Sequence, residues 1–395
     1  MSNKAFNNWK KYQLNDFSEI NPSTKLTKGV KYPFIGMESV EPNKRFLSNI
    51  PAKKFKGSGT KFQAQDTIFA RITPCLQNGK IAQFNSLNGK VGFGSTEFIV
   101  FRNIKDISDS NYLYYLLQTY KIRKHAENSM AGASGRQRTD INYVKQIKFL
   151  APPIKTQQKI ASILSDFDKL IENNRRKIEI LEETAQLLYR EWFVEFRFPG
   201  HKKTKFINSP LGKIPKGWKI KKLNDISSIL FGFNFTSNKF NSKSNGVRVV
   251  RIRDILSGKT STFSPENVEK KYLIKKSDLL IGMDGIFHTG VWFINNCYLN
   301  QRVARIRSKK PTYFIRQSIK RELHYLQKII MGATVGHLSY GDIKNFNILI
   351  PNNESILNIF QQITNLVVNL KLNTLSLTKT RNLLLPRLLS GKIKV

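Results

Sequence analysis

Residues 160–192, IASILSDFDKLIENNRRKIEILEETAQLLYREW, decide how this chain is built. Within them Ile160, Leu164, Phe167, Ile171, Asn174, Ile178, Leu181, Ala185, Leu188 and Trp192 follow one another at steps of four and three. Because an α-helix turns once in about 3.6 residues, this rhythm lays the side chains along one stripe, the seam of a coiled coil. Pro152-Pro153 mark its start and Phe198-Pro199-Gly200 its stop. After Pro351 the rhythm returns through Ile356, Phe360, Ile363, Val367, Leu370, Thr374, Leu377, Arg381, Leu384 and Leu388. Each helix should be roughly 50–60 Å long. Two such stripes most simply bury each other, the alternative being that each packs on its own domain. Asn174 and Thr374 lie near the seam centres, where a polar residue can fix register. Arg381 weakens the second seam unless its head reaches past it to solvent or meets a partner subunit.

The two helices divide the charge. The 395 residues carry 66 Lys and Arg against 27 Asp and Glu, a net charge of +39. Residues 1–150 hold +14, residues 151–198 zero, residues 199–353 +20 and residues 354–395 +5. Such an excess requires a polyanionic partner, and nucleic acid is the commonest one. With 40% hydrophobic residues the chain can build a core, which excludes global disorder. No apolar run of 18 residues exists and the segment Met1 to Trp9 lacks a signal-peptide core, so a cytoplasmic protein away from membranes is expected. Cys75 and Cys297 stand far apart without CxxC or paired histidines, and ordinary thiols are expected.

The two basic blocks repeat. Trp9 with Leu14-Asn15-Asp16 matches Trp218 with Leu223-Asn224-Asp225. Asp66-Thr67-Ile68-Phe69 answers Asp278-Leu279-Leu280-Ile281, and Gly132-Ala133-Ser134 answers Gly332-Ala333-Thr334. Short β-rich runs punctuated by glycine (Tyr32 to Ile35, Thr67 to Ile72 and Phe98 to Phe101, then Val247 to Ile252, Leu279 to Gly282 and Val303 to Ile306) surround one helical stretch per block, near Tyr112 to Lys124 and Tyr313 to Ile330. The expected fold class is therefore α+β: two repeated domains separated by two long helices that form an antiparallel coiled coil, with pseudo-two-fold symmetry. The expected boundaries are 1–152, 153–198, 199–351 with a lead-in linker at 199–213, and 352–395. Covalently joined but divergent readers imply a bipartite, asymmetric DNA target.

Ala70-Arg71-Ile72-Thr73-Pro74-Cys75-Leu76 with Gly79-Lys80-Ile81-Ala82, then Gly92-Phe93-Gly94-Ser95-Thr96-Glu97-Phe98, resembles the target recognition domain of type I restriction-modification specificity subunits. So do Asp278 to Gly285 and Leu299-Asn300-Gln301-Arg302-Val303, while Pro152-Pro153 with Gln157-Gln158 and Ile160, and the tail Leu385 to Gly391, are similar to the family's helical spacers. The resemblance implies a non-catalytic subunit without cofactor. Each recognition domain would read half of a split site in double-stranded DNA. The helices would hold methylation subunits, two in number, and through the complex the restriction subunits.

No motif for catalysis competes with that reading. Ser257-Gly258-Lys259-Thr260 has the end of a P-loop, but Arg253 stands where its first glycine belongs. Ala151-Pro152-Pro153-Ile154 lacks the polar and aromatic residues of an amino-methyltransferase motif, and Glu266 with Glu269 is a poor nuclease match. A stand-alone nuclease or methyltransferase with duplicated DNA-binding domains, or a non-specific nucleic-acid-binding protein, remain the alternatives. Arginine pairs with guanine and Asn or Gln with adenine through two hydrogen bonds. The candidate DNA-binding residues are accordingly Arg71, Thr73, Gln77, Asn78, Lys80, Arg136, Gln137 and Arg138 in the first block, and Arg251, Arg253, Asp284, His288, Arg302 and His337 in the second. No metal ligands are expected, and the lysine clusters around Lys53, Lys202 and Lys219 suit phosphates or solvent.

Overall fold

The computed structural model describes residues 8–48, 50–85, 89–133, 135–330 and 336–395. Of the expected repeat anchors, Ser134 and Gly332-Ala333-Thr334 lie outside the described residues. The chain divides into two compact units, Met1–Glu172 with Ser376–Val395, and Asn173–Leu375.

In the first unit, strand Lys10–Gln13 pairs antiparallel with Lys148–Ala151, setting Tyr12 opposite Phe149. The Leu-Asn-Asp motif that follows forms one helical turn, Leu14–Phe17, which buries Leu14 and Phe17. An antiparallel sheet then runs in the order Ser18–Ile20, Phe98–Asn103, Thr67–Ala70, Ile81–Gln83. Beside it a second sheet runs Ala52–Lys54, Lys31–Ile35, Val91–Gly94, Thr60–Gln63, its central pair parallel. Glycines in this strand permit close packing: a Cβ at Gly94 would lie 2.4 Å from the Ile35 carbonyl oxygen. The helical stretch is two helices, Ser110–Leu117 and Tyr120–Asn128. The Asp109 side chain caps the first by accepting from the Asn111 and Tyr112 amides, satisfying donors that lack an intrahelical partner.

The second unit repeats the order and direction of these strands. Lys219–Lys222 pairs with Asn347–Ile350, and the turn Leu223–Ile226 follows. One sheet runs Ser227–Phe231, Val303–Ser308, Leu279–Gly282, Thr289–Val291, and the other Thr262–Ser264, Val247–Val250, Cys297–Leu299, Leu273–Ile274, again with a parallel central pair. The α+β repeat expected from the sequence is thus present at the level of sheet order and strand direction. Among the described residues the first unit's short ladder, Met130–Ala131 with Arg138–Thr139, has no counterpart sheet, and a single 19-residue helix, Thr312–Ile330, replaces the broken pair. The stretch read as a linker contains a hairpin, Phe206–Ser209 with Gly212–Pro215, anchored by Phe206 against Phe196 at 5.6 Å between ring centroids.

The long helices are Ile154–Tyr189, continued by a π-helical turn at Arg190–Val194, and Asn358–Leu389. All twenty seam positions named from the sequence are buried or half-buried. In the first unit Ile160, Leu164, Leu384 and Leu388 join one core with Phe17 and Tyr112. In the second, Ile178, Leu181, Ala185 and Leu188 pack with Phe360, Ile363 and Val367. The helices run antiparallel, Asn174 reaching Asn373 at 3.4 Å and Glu182 reaching Lys371 at 3.6 Å. Arg381 neither escapes to solvent nor needs another subunit: it is buried against Asp168 of the first helix. Gln157 joins helix and domain, accepting from the Asp109 amide and donating to the Ile107 and Pro152 carbonyls at 2.9–3.0 Å.

Candidate nucleic-acid interface

In the first unit the end of strand Thr67–Ala70 meets two other segments. The Arg71 amide donates to the Glu97 carbonyl (3.0 Å) and the Thr139 amide to the Arg71 carbonyl (2.9 Å). Ile72 and Arg138 form a β-bridge, and Thr73 clamps Gln137 twice: amide to carbonyl at 3.0 Å, and hydroxyl accepting from the Gln137 amide at 3.0 Å. Chain segments 71–73, 97 and 136–139, distant in sequence, therefore form one surface. Arg138 grips Glu97 from Nε and Nη2 at 2.6–3.0 Å. That fork holds the Glu97 carboxyl below the usual carboxylate range.

The second unit builds the same surface with other side chains. The Met283 amide donates to the Arg302 carbonyl (3.1 Å), the Leu338 amide to the Met283 carbonyl (2.8 Å), and Asp284 bridges His337. Strand pairing makes the correspondence definite, since Ala70 lies opposite Phe98 and Gly282 opposite Val303. Ile72 thus corresponds to Asp284, Glu97 to Arg302 and Arg138 to His337. Here Asp284 is the carboxylate: its oxygens lie 2.7 Å from His337 Nδ1 and 3.4 Å from Arg302 Nε. Arg302 Nη1 lies 3.2 Å from His337 Nδ1.

Among the other residues singled out from the sequence, Arg136, Gln77 and Asn78 are exposed on the first unit's loops. Thr73 is buried and its hydroxyl is engaged with Gln137, which makes it a loop clamp. Lys80 donates its ammonium to the Met37 carbonyl at 2.7 Å. Arg71 donates to the Thr139 carbonyl and lines a polar cleft with Asn21, Ser23, Lys61 and Thr96. His288 lies across the turn from Gly282, whose amide donates to its carbonyl. Arg251 and Arg253 leave the neighbouring sheet, where Arg251 lies over the Phe240 ring at 5.1 Å and Arg253 donates to Thr262. The strand they follow is joined to the segment before Arg302 by the Asn300 amide, which donates to the Val250 carbonyl.

Glu97 escaped the sequence reading, although its place one residue before a β-run, like that of Arg302, was the available signal. Also unforeseen were two buried carboxylates at the other end of the same strands. Asp66 holds Arg102 through two bonds of 2.8 Å, and Asp278 holds Arg307 through bonds of 2.7 and 2.6 Å. Among the described residues no cluster of His, Cys, Asp or Glu is suited to hold a metal ion, and no helix is long and apolar enough to cross a membrane.

The chain thus combines a duplicated α+β plan, a polar loop surface at the same place in each copy and two long helices. The chain belongs to the family of the type I restriction modification DNA specificity domain, which matches residues 7–183 and again 215–377. It is 28% identical over 421 residues to the type I restriction enzyme MjaIX specificity subunit of Methanocaldococcus jannaschii, covering 98% of this chain and 94% of that one. It is 26% identical over 474 residues to the HindI specificity subunit of Haemophilus influenzae, covering 98% and 99%. Its fold is similar to that of a type I restriction-modification S subunit from M. genitalium, with a TM-score of 0.57 at 14% identity over 97% of this chain and 96% of that one.

Proposed function

We propose that this chain is the non-catalytic, DNA-reading subunit of a type I restriction-modification enzyme. Each recognition domain, 1–152 and 199–351, reads one half of a bipartite, asymmetric site in double-stranded DNA. The observation that carries this reading is the duplicated loop surface, whose backbone is the same in both units while its side chains differ. A reader of two unlike half-sites needs that arrangement: one scaffold and two chemistries.

The helices, residues 153–198 and 352–395, are the platform for two methylation subunits and, through them, the restriction subunits. Leu170, Ile180, Leu187, Leu366 and Leu383 support that role, being large apolar side chains exposed on helices whose seams are already buried. The near-neutral central helix suits a protein partner better than DNA. Methylome sequencing of cells making this chain with its methylation subunits, against cells lacking it, tests the proposal. A split motif that appears only with the chain is expected. Cleavage or methylation by the purified chain alone, given Mg²⁺ and S-adenosylmethionine, would overturn it.

A further inference from the structure

The two loop surfaces share more than their backbone. In each, one exposed arginine is braced by a carboxylate, but the parts come from different positions. In the first unit the arginine is Arg138, on the short strand Arg138–Thr139 before helix Ile141–Lys145, and the brace is Glu97. In the second the arginine is Arg302, at the position of Glu97, and the brace is Asp284, at the position of Ile72. His337, at the position of Arg138, closes the second cluster. The same chemical unit has been assembled twice from non-corresponding residues, which a merely structural ion pair inherited by duplication would not require.

Bracing matters because of the shape of the guanidinium. It offers five N–H donors in a plane, along a side edge (Nε with one Nη) and an end edge (the two Nη groups). Glu97 takes the side edge of Arg138 through Nε and Nη2, which leaves the end edge directed away from the carboxylate. Arg302 turns Nε toward Asp284 at 3.4 Å, as an ion pair and not a fork, and its Nη1 lies 3.2 Å from His337 Nδ1. Both side chains remain about half exposed, at 48% and 49%. An arginine held this way loses less rotamer freedom on contact and presents the two parallel donors that match O6 and N7 of guanine.

We propose that Arg138 and Arg302 are the guanine readers of the two half-sites, with Glu97 and Asp284 as their positioning residues. The assignment rests on the DNA-reading function proposed above and adds its chemistry: each half-site contains a G·C pair at one defined position, and that position depends on the braced arginine.

The test uses the complex with the methylation subunits and the motif found by methylome sequencing. Arg138→Ala relaxes one guanine position in one half-site, by roughly 5- to 150-fold in binding discrimination, and leaves the other half-site unchanged; Arg302→Ala does the same in the opposite half. Arg138→Lys does not restore discrimination, because an ammonium lacks the fork. Glu97→Gln and Asp284→Asn reduce discrimination at the same position as their arginine and nowhere else. A test on the DNA side avoids any question of folding: 7-deazaguanine at that position removes the N7 acceptor, weakening the wild-type complex while causing no further loss for the alanine variant. Three results overturn the assignment while leaving the functional reading intact. They are a half-site without any G·C pair, variants that weaken all sequences alike with a flatter salt dependence, and deaza substitution without effect. A wild-type complex that yields no split motif overturns the functional reading itself and this assignment with it.

Discussion

Asp168 on the first long helix and Arg381 on the second form an ion pair whose side chains are only 4% and 3% exposed. Tyr115 donates its hydroxyl to the other Asp168 oxygen, and Arg45 comes within 4.0 Å of it. Arg45 is itself saturated by Gln83, Tyr115, Ser165 and Asn111. One carboxylate therefore serves two buried arginines. Asp168→Ala should destabilise the protein by roughly 3–5 kcal/mol, since uncompensated buried charge is the costly outcome. Arg381→Met should cost less, because Asp168 keeps Tyr115 and Arg45. Urea unfolding of both variants gives the order, and the reverse order would refute the arrangement.

Asp66 and Asp278 occupy the same place in the repeat, yet their partners differ in exposure: Arg102 is 15% exposed and Arg307 33%. Asp66→Ala should therefore cost roughly 3–5 kcal/mol. Asp278→Ala should cost distinctly less, because Arg307 is partly hydrated once its partner is gone. Hydrogen exchange should show lost protection in the unit carrying each substitution.

The Glu97 carboxyl has a folded pKa below its ordinary value, mainly through the Arg138 fork. For a depressed acid, the contribution of the pair is complete above the unfolded value and disappears as pH falls through the lower folded one. The Glu97–Arg138 brace should thus be constant from neutral pH down to the ordinary carboxylate range and break only below it. A carboxyl NMR titration of Glu97, repeated in Arg138→Ala, should show the midpoint moving up when the guanidinium is removed.

Cys297 is fully buried, and burial pushes its thiol up to about 11. Cys75 is partly accessible. A thiol reagent at pH 8 should label Cys75 and spare Cys297 in the native protein, and label both in urea. Mass spectrometry of the labelled peptides checks this directly.

Much of the fold was legible because periodicity reports one-dimensional constraints. The 4-3 rhythm named the inward face of both helices, and the Trp-to-Asp motif located the strand and turn that open each repeat. Pairings across the fold were not legible. Arg381 looks misplaced in a stripe until Asp168 stands opposite it. Glu97 looks like an ordinary strand-end acid until Arg138 arrives from a distant strand. Composition also does not reveal that the Thr73 hydroxyl accepts from the Gln137 amide or that the Lys80 ammonium donates to the Met37 carbonyl. The Phe206–Pro215 hairpin was hidden by a Lys-, Gly- and Pro-rich composition that also fits a linker.

The membership of the first unit has a consequence for synthesis. It takes residues 376–395 from the far end of the chain, and its helix face at Ile160 and Leu164 shares a core with Leu384 and Leu388. A ribosome making this protein finishes the first sheet pair and the helices that supply Phe17 and Tyr112 to that face, then every residue of the second unit, before its partners Leu384 and Leu388 exist. At roughly 5–20 residues per second, the face waits half-covered for on the order of ten seconds or more. The first block to be translated is therefore the last to be completed, and a message truncated before residue 376 would yield a chain with that apolar stripe open to aggregation.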